Sequence, residues 1–249
     1  NLAHRAAVSM VQAHGLTVND LNLHLHIDKA VPVAGGMAGG SADAAASLLA
    51  VDQYLFEKRL TERTLGLEEL LALAAPLGAD VPFVVRAAFP LGGLAVGEGT
   101  GTELRIVELP EDMIPLDIVL VAASEGLSTP QVFSELDEGR AAGRYPEAGE
   151  LQVPSGLLHA LTQTEAPIAR IHEIGRQLRN DLQGPAVTLA PDLETILTMD
   201  NESMVEAFVS GSGPTVAILA EDATAADELA AALRRRGRHA IATQTPAML

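Results

Sequence analysis

A cluster of glycines followed by an alanine-rich stretch constrains the fold of this chain more than any other part of its sequence. Residues 31–46 read VPVAGGMAGGSADAAA, with four glycines within six positions. Glycine lets the backbone adopt positive φ and approach a ligand closely, and a helix N-terminus presents unpaired N–H groups and the positive end of the helix dipole. The segment therefore predicts an extended run, a tight loop and a helix that together suit a polyanion, such as the phosphates of a nucleotide.

Two common nucleotide-binding patterns do not fit this loop. No register of its glycines gives G-x-G-x-x-G, and in a Walker A alignment of Gly35 and Gly40 the lysine position is occupied by Ser41. From the loop alone, an ordinary strand-to-helix connection with Ser41 as helix N-cap stays open as an alternative. Asp43 suits either interpretation, but beside a bound anion it would have to point away or reach a Mg2+ ion.

The composition bounds the class of protein. The 249 residues can bury the core of one large domain or of two modest ones. A net charge of −17 argues against a nucleic-acid partner, and no apolar run approaches the roughly 18 residues of a membrane span, so no membrane partner is expected. The chain has no cysteine, which excludes disulfides and thiolate metal sites and fits a cytoplasmic location.

Hydrophobic periodicity predicts mixed elements in the first half of the chain. Residues 1–14 are expected to be helical, and strict alternation over 21–28 indicates the clearest strand. His24 and His26 lie on the polar face of that strand, and without a third ligand at suitable spacing they are interpreted as exposed residues. Further predictions are helices over 41–57 and 67–75, strands near 82–86, 91–97 and 104–108, and a hairpin turn over 97–101.

The second half predicts a separate layered domain. Residues 109–112, Leu-Pro-Glu-Asp, are the best boundary candidate, which gives domains over 1–112 and 113–249. The order of strand, turn, strand, helix and strand near the C-terminus indicates an α+β sandwich. The predicted strands are 116–122, 205–209, 214–220 and 239–243, and the predicted helices are 155–163, 167–178, 191–200 and 223–237, with a helix end and exposed loop over 135–150.

The wider glycine pattern resembles the phosphate-binding motif of the GHMP kinases. The residues that carry the resemblance are Pro32-x-x-Gly35-Gly36-x-x-Gly39-Gly40-Ser41-x-x-Ala44-Ala45. Further segments resemble the family in the same order: NLAHRAA at 1–7, LGADVPF at 77–83, GLSTPQVF at 126–133, VSGSGPTVAIL at 209–219 and, more weakly, RNDLQGPAV at 179–187. The resemblance implies an α+β fold of two domains, an N-terminal mixed α/β domain and a C-terminal ferredoxin-like sandwich.

The resemblance also implies a reaction and its ligands. The extended form IDKAVPVAGGMAGGSADAAA is most similar to the branch that phosphorylates the 2-hydroxyl of a cytidine-diphosphate-linked methylerythritol for non-mevalonate isoprenoid synthesis. ATP and Mg2+ are the implied cofactors, a small-molecule alcohol is the partner, and a monomer or weak homodimer is expected. No metal ligand is assigned. The implied ATP-binding residues are Lys29, Pro32, Val33, Ala34, Gly35, Gly36, Met37, Ala38, Gly39, Gly40, Ser41 and Ala42.

Asp80 is the candidate catalytic residue. Its local sequence, Leu-Gly-Ala-Asp-Val-Pro, by itself favours a turn or cap residue. By resemblance, however, Asp80 contacts the substrate and takes the proton from the acceptor hydroxyl. The resemblance implies further substrate contacts from Thr129 and from Gly211, Ser212 and Gly213.

The local sequence around these residues allows more than one interpretation of their structure. Residues 210–215, SGSGPT, suit either an anion-binding nest or a tight hairpin turn. Thr129 and Pro130 predict a helix start, with Thr129 as N-cap and Pro130 at the first helical position. Asn180 and Asp181 fit either a polar pocket or a plain loop.

One departure from the family concerns the N-terminus. The family's P-A-K-x-N-L and D-G-Y-H segments do not occur in these 249 residues. We therefore expect Asn1 to be an internal position of a longer protein whose upstream part supplies half of the substrate pocket; the alternative is a truncated product with little activity. Two other functions stay open: a GHMP kinase with another alcohol substrate, or a nucleotide-binding sensor on the same fold without turnover. The missing lysine segment favours the sensor, and the retained Asp80 disfavours it.

Overall fold

The computed structural model describes residues 1–29, 35–89, 93–123, 126–149, 152–163, 167–199 and 204–245. The chain forms two compact units, one around residues 1–29 and 38–109 and the other around residues 35–37 and 110–245. The division falls within the glycine loop, between Met37 and Ala38. None of the described helices is both long enough and apolar enough to cross a membrane.

The first unit is mainly helical. Its elements are α1 (Leu2–Ala13), a 3-10 turn (Val18–Asp20), α2 (Gly39–Glu57), α3 (Leu67–Ala74), α4 (Val81–Ala87) and a hairpin of β1 (Ala95–Glu98) with β2 (Glu103–Ile106). Alanines such as Ala6 and Ala44 are fully buried between α1 and α2, so the two helices pack closely over an aliphatic core that includes Met10 and Leu48. The side chain of Asn1 caps α1 by accepting a hydrogen bond from the Ala3 N–H at 2.9 Å.

A buried polar pair ties together three segments of this unit. His14 Nε2 lies 2.7 Å from Asp52 Oδ1, with 9% and 5% of the two side chains exposed. The other carboxylate oxygen of Asp52 accepts the Leu65 N–H at 2.9 Å. Because both oxygens are used, Asp52 links the end of α1 to α2 and to the segment that precedes α3.

The second unit is a four-stranded antiparallel sheet with helices. Strands β3 (Asp117–Ala122), β4 (Met204–Val209), β5 (Thr215–Ala220) and β6 (His239–Gln244) are ordered β4-β5-β3-β6. The helices are α5 (Thr129–Ala141), α6 (Ser155–Thr162), α7 (Pro167–Gln177), α8 (Gln183–Leu189), α9 (Asp192–Leu197) and α10 (Ala223–Arg235). This strand order, with helices between β3 and β4 and between β5 and β6, is the predicted ferredoxin-like sandwich.

Two predicted strands are wrong. Residues 21–28 form no strand, because their alternating sequence finds no hydrogen-bonded neighbour among the described residues. Residues predicted as a strand near 82–86 form helix α4 instead. Val81 and Val85 lie four residues apart and are both fully buried, which is the spacing of one helix face, and Pro82 is tolerated in the first helical turn.

Helix boundaries also differ from the predictions. Helix α2 begins at Gly39 with Ala38 in the N-cap position, so Ser41 is not the N-cap. Helix α5 has Ser128 as its N-cap, which makes Thr129 the first helical residue and Pro130 the second. Helix α8 was not predicted, because its seven residues, QGPAVTL, are too few to show a helical period.

Candidate active site

The glycine loop leads into α2 through two residues with left-handed backbone. Gly36 has φ +69° and Ala38 has φ +50°. Ala38 occupies the N-cap position, and its carbonyl accepts the Ala42 N–H at 2.9 Å. The N–H groups of Gly39, Gly40 and Ser41 therefore have no acceptor within the helix and are available to an anion. Pro32, Val33 and Ala34 of the predicted ATP set lie outside the described residues.

Lys29 and Asp43 form an ion pair beside the start of α2. The Lys29 ammonium donates to a carboxylate oxygen of Asp43, and 40% and 26% of the two side chains are exposed. Asp43 thus directs its charge to Lys29, which offsets the negative charge in the first turns of α2. Ser41 is buried, whereas Gly40 and Ala42 are exposed.

The segment from Ser210 to Thr215 closes a tight turn between β4 and β5. The Ser210 N–H donates to the Thr215 carbonyl at 2.8 Å, and the Gly213 N–H donates to the Ser210 carbonyl at 2.8 Å. Gly211 and Gly213 have φ of +56° and +74°. These are left-handed conformations, which explains the glycines in the sequence.

This turn packs backbone to backbone against the first glycine pair of the loop. Ser210 Oγ donates to the Gly36 carbonyl at 3.1 Å, and Thr215 Oγ1 donates to the Gly35 carbonyl. A β-carbon on Gly36 would lie 2.5 Å from the carbonyl oxygen of Gly213, closer than side chains are tolerated. The two glycine-rich segments of the sequence therefore form one packed structure.

Two of the predicted substrate residues also meet. The hydroxyl oxygens of Thr129 and Ser212 lie 2.9 Å apart. Ser212 is buried and Thr129 is exposed. The structure therefore places the start of α5 against the turn, with Gly211, Ser212 and Gly213 beside Thr129.

Asn180 and Gln183 hold the turn from the side of α8. Asn180 Nδ2 donates to the carbonyls of Val209 and Gly211, each at 2.8 Å, and Gln183 Oε1 accepts the Val209 N–H at 2.9 Å. Sequence reasoning did not assign these two residues to the site. The one signal was the weak RNDLQGPAV resemblance, which left Asn180 open between a pocket and a loop.

Asp181 is fixed by two guanidinium groups next to this contact. Arg179 Nε donates to one carboxylate oxygen at 2.7 Å, and Arg140 Nη2 donates to the other at 2.6 Å. The hydrogen bond from Arg179, supported by Arg140, holds the pKa of Asp181 below its ordinary value. Asp181 is therefore a charged anchor between α5 and the segment that precedes α8.

Asp80 stands at the N-cap position of α4 with φ −84° and ψ −16°. Its side chain is exposed and makes no capping hydrogen bond to α4. The cap role that the local sequence favours is therefore not taken, and none of the described residues is seen to bind the carboxylate. Within the described ranges, no group of three or more His, Asp or Glu side chains is arranged to hold a metal ion.

Comparison with known proteins identifies the class to which this fold and site belong. Residues 1–88 match the GHMP kinases N terminal domain and residues 158–239 match the GHMP kinases C terminal domain. The chain belongs to the GHMP kinase family, which confirms the resemblance.

Two curated relatives of this chain carry the same name. The chain is 41% identical over 256 residues to the 4-diphosphocytidyl-2-C-methyl-D-erythritol kinase of Corynebacterium jeikeium, covering 99% of this chain and 68% of that protein. It is 43% identical to the kinase of the same name from Paenarthrobacter aurescens, covering 99% of this chain and 71% of that protein.

Solved structures of kinases are also similar to this chain. A crystal structure of 4-(cytidine 5'-diphospho)-2C-methyl-D-erythritol kinase superposes with a TM-score of 0.69 and 30% identity, covering 98% of this chain and 77% of that one. The homoserine kinase of Cytophaga hutchinsonii has a TM-score of 0.60 at 16% identity, covers 97% of this chain and 75% of that one, and shares the fold.

Proposed function

We propose that this protein is an ATP-dependent kinase that phosphorylates the 2-hydroxyl of 4-diphosphocytidyl-2-C-methyl-D-erythritol, a step of non-mevalonate isoprenoid synthesis. The observation that carries the proposal is the identity of 41% and 43% to kinases of that name over 99% of the chain. The packed glycine segments and the uncommitted Asp80 carboxylate support it, because phosphoryl transfer needs anchored phosphates and a base for the acceptor hydroxyl.

ATP fits the glycine loop on two observations. The N–H groups at the start of α2 have no acceptor within the helix, and this 19-residue helix directs the positive end of its dipole toward them. The negative charge of Asp43 is offset by Lys29 and so opposes a phosphate less. We assign the triphosphate to Gly35, Gly36 and residues 37–42, with Lys29 and residues 32–34 as further ATP contacts.

Mg2+ is the implied metal. Because the described residues contain no cluster of three carboxylate or imidazole ligands, the ion would be held largely by phosphate oxygens and water, as Mg2+ usually is. The Ser41 hydroxyl is a candidate protein ligand in the first turn of α2. Bound there, the ion would neutralise charge on the transferring phosphoryl group.

Asp80 performs the proton transfer in this proposal. Its carboxylate accepts the proton of the 2-hydroxyl as the hydroxyl oxygen bonds to the γ-phosphorus of ATP, and the bond from that phosphorus to the bridging oxygen of ADP breaks. This role requires a carboxylate that does not cap its own helix, which is the state of Asp80.

Thr129 and the turn that contains Gly211, Ser212 and Gly213 orient the acceptor. The hydroxyls of Thr129 and Ser212, 2.9 Å apart, offer a paired donor and acceptor. The exposed backbone of Gly211 allows a ligand to approach closely. We further expect the enzyme to act in the cytoplasm, where ATP is supplied, as a monomer or weak homodimer.

A substrate panel tests the proposal. The full-length protein is incubated with ATP, Mg2+ and one of three alcohols: 4-diphosphocytidyl-2-C-methyl-D-erythritol, homoserine or mevalonate. We expect ADP and a new phosphomonoester on carbon 2, seen by phosphorus NMR, with the cytidine compound alone. Preference for another alcohol would point to a different GHMP kinase, and ATP binding without turnover of any alcohol would point to a sensor.

A further inference from the structure

Three backbone groups bind the side-chain amide of Asn180, two of them at the end of β4 and one just before α8. Its Nδ2 donates to the carbonyls of Val209 and Gly211, each at 2.8 Å, and its Oδ1 accepts the Leu182 N–H at 2.9 Å. A side-chain amide combines two N–H donors with an acceptor in one small neutral group. Asn180 thus connects the start of α8 to both sides of Ser210.

Gln183 completes this contact one turn further on. The side-chain Oε1 of Gln183 accepts the Val209 N–H at 2.9 Å, and the backbone N–H of Gln183 donates to the Asn180 backbone carbonyl at 3.0 Å. Val209 ends the edge strand β4, which pairs with β5 on one side, so its N–H needs an acceptor from outside the sheet. Asn180 and Gln183 together satisfy the N–H and carbonyl of Val209.

The turn that these residues hold needs an external restraint. Gly211 and Gly213 have left-handed φ and lose more backbone freedom on ordering than any other residue type. Thr129 contacts the turn through Ser212, and Gly36 contacts it through Ser210. The carbonyl of Gly211, however, is fixed by Asn180.

We infer that Asn180, assisted by Gln183, is a positioning residue for the kinase reaction. It sets the direction of the Gly211 peptide and so places the backbone of Gly211, Ser212 and Gly213 for the substrate. The inference rests on the proposed function, because it assigns this turn to the substrate. It adds a residue from the segment that precedes α8, which acts through the Gly211 carbonyl.

The variant Asn180→Asp gives a specific signature. At pH 8 its carboxylate would face two carbonyl oxygens, both donors would be lost, and we expect kcat/KM to fall about 10- to 100-fold. Protonation returns one O–H donor, so the ratio of variant to wild-type kcat/KM should rise as the pH is lowered from 8 toward 5. Asn180→Ala should lose a similar factor at every pH. Gln152→Glu adds the same charge at an exposed loop position and should behave as wild type.

A second readout does not depend on turnover. Amide hydrogen exchange of a peptide over residues 208–214 reports the Gly213 N–H, which is bonded to the Ser210 carbonyl. We expect about tenfold faster exchange there in Asn180→Ala and little change in β3. An inactive wild type would overturn the proposed function, while exchange would still test the contact.

The positioning role would be overturned by either of two results. One is wild-type kcat/KM per folded enzyme in both Asn180 variants, whatever their melting temperatures. The other is an Asn180→Asp loss that is independent of pH and accompanied by unchanged exchange over 208–214. Each result would reduce Asn180 to a residue that stabilises the fold.

Discussion

Gly36 and Gly213 lie in backbone contact, so that a β-carbon on Gly36 would come within 2.5 Å of the Gly213 carbonyl oxygen. The contact is reinforced by Ser210, whose hydroxyl donates to the Gly36 carbonyl at 3.1 Å. Two segments that the sequence presents as separate glycine-rich turns therefore support each other. A change in one is expected to disturb the other.

Gly36→Ala tests this contact. The new methyl group would clash with backbone rather than with a side chain that can move, and Gly36 has φ +69°. We expect a loss of about 2–4 kcal/mol in the free energy of unfolding and a raised KM for ATP. Gly143→Ala is the matched control, because Gly143 has φ +71° but no atom within 4 Å of its β-carbon position. It should lose only about 1–2 kcal/mol. Equal losses in urea unfolding would show that the backbone contact adds nothing.

Ala38→Gly probes the strained residue of the loop. Ala38 has φ +50° at the N-cap of α2. This left-handed conformation destabilises any residue with a β-carbon by about 1–2 kcal/mol. Glycine removes this cost but adds about 0.4–1 kcal/mol of unfolded-state entropy, so the variant should gain between about 0 and 1.6 kcal/mol. Ala46→Gly, at an exposed position inside α2, should instead lose about 1 kcal/mol. A comparable loss in Ala38→Gly, measured by thermal unfolding, would contradict the left-handed assignment.

Hydrophobic periodicity predicts a helix or strand correctly where the burial pattern of the segment itself specifies it. It fails where the structure of a segment depends on which other segment packs against it. Strand β5 is buried at all six positions, as the continuous apolar run from Val216 to Ala220 indicates. Residues 21–28 alternate just as clearly, yet alternation specifies two faces and not a neighbouring strand. Residues 81–87 contain three valines that favour a strand, but burial of Val81 and Val85 on one face favours the helix.

The residues of the candidate site likewise fall into those that the sequence predicts and those that it does not. Glycine positions carry their own backbone requirement, so Gly36, Gly211 and Gly213 stand out in the sequence and have positive φ in the structure. Asn180 and Gln183 act through the free edge of β4, and that edge exists only after the sheet has formed. Short polar residues near a helix start have many local uses, so their sequence cannot specify this distant backbone partner.

Glu69 gives the first unit a defined acid sensitivity. Arg63 donates to both of its carboxylate oxygens at 2.7 Å, and the Gly66 N–H donates at 2.8 Å. The hydrogen bond from Arg63 and the one from Gly66 lower the pKa of Glu69 from 4.5 to about 2. Since the folded-state pKa lies below the unfolded value, this stabilisation is complete above about pH 5 and is lost as the pH falls toward 2.

Glu69→Gln measures that contribution. The difference in urea midpoint between wild type and variant should be largest above pH 5 and should disappear as the pH approaches 2. Glu68→Gln, in the same first turn of α3, controls for the helix dipole. A wild-type advantage over Glu69→Gln that persisted unchanged at pH 2 would contradict the assigned hydrogen bonds.

The most direct test of the account is single-turnover phosphoryl transfer by Asp80→Asn, with ATP binding measured on the same protein. Removal of a general base should slow transfer by about 10²- to 10⁴-fold, while the Kd for ATP stays within about threefold of wild type. Asp227→Asn, an exposed substitution on α10 with the same loss of charge, should transfer at the wild-type rate. Transfer by Asp80→Asn at the wild-type rate would contradict the account, because no proton acceptor would then be needed at that carboxylate.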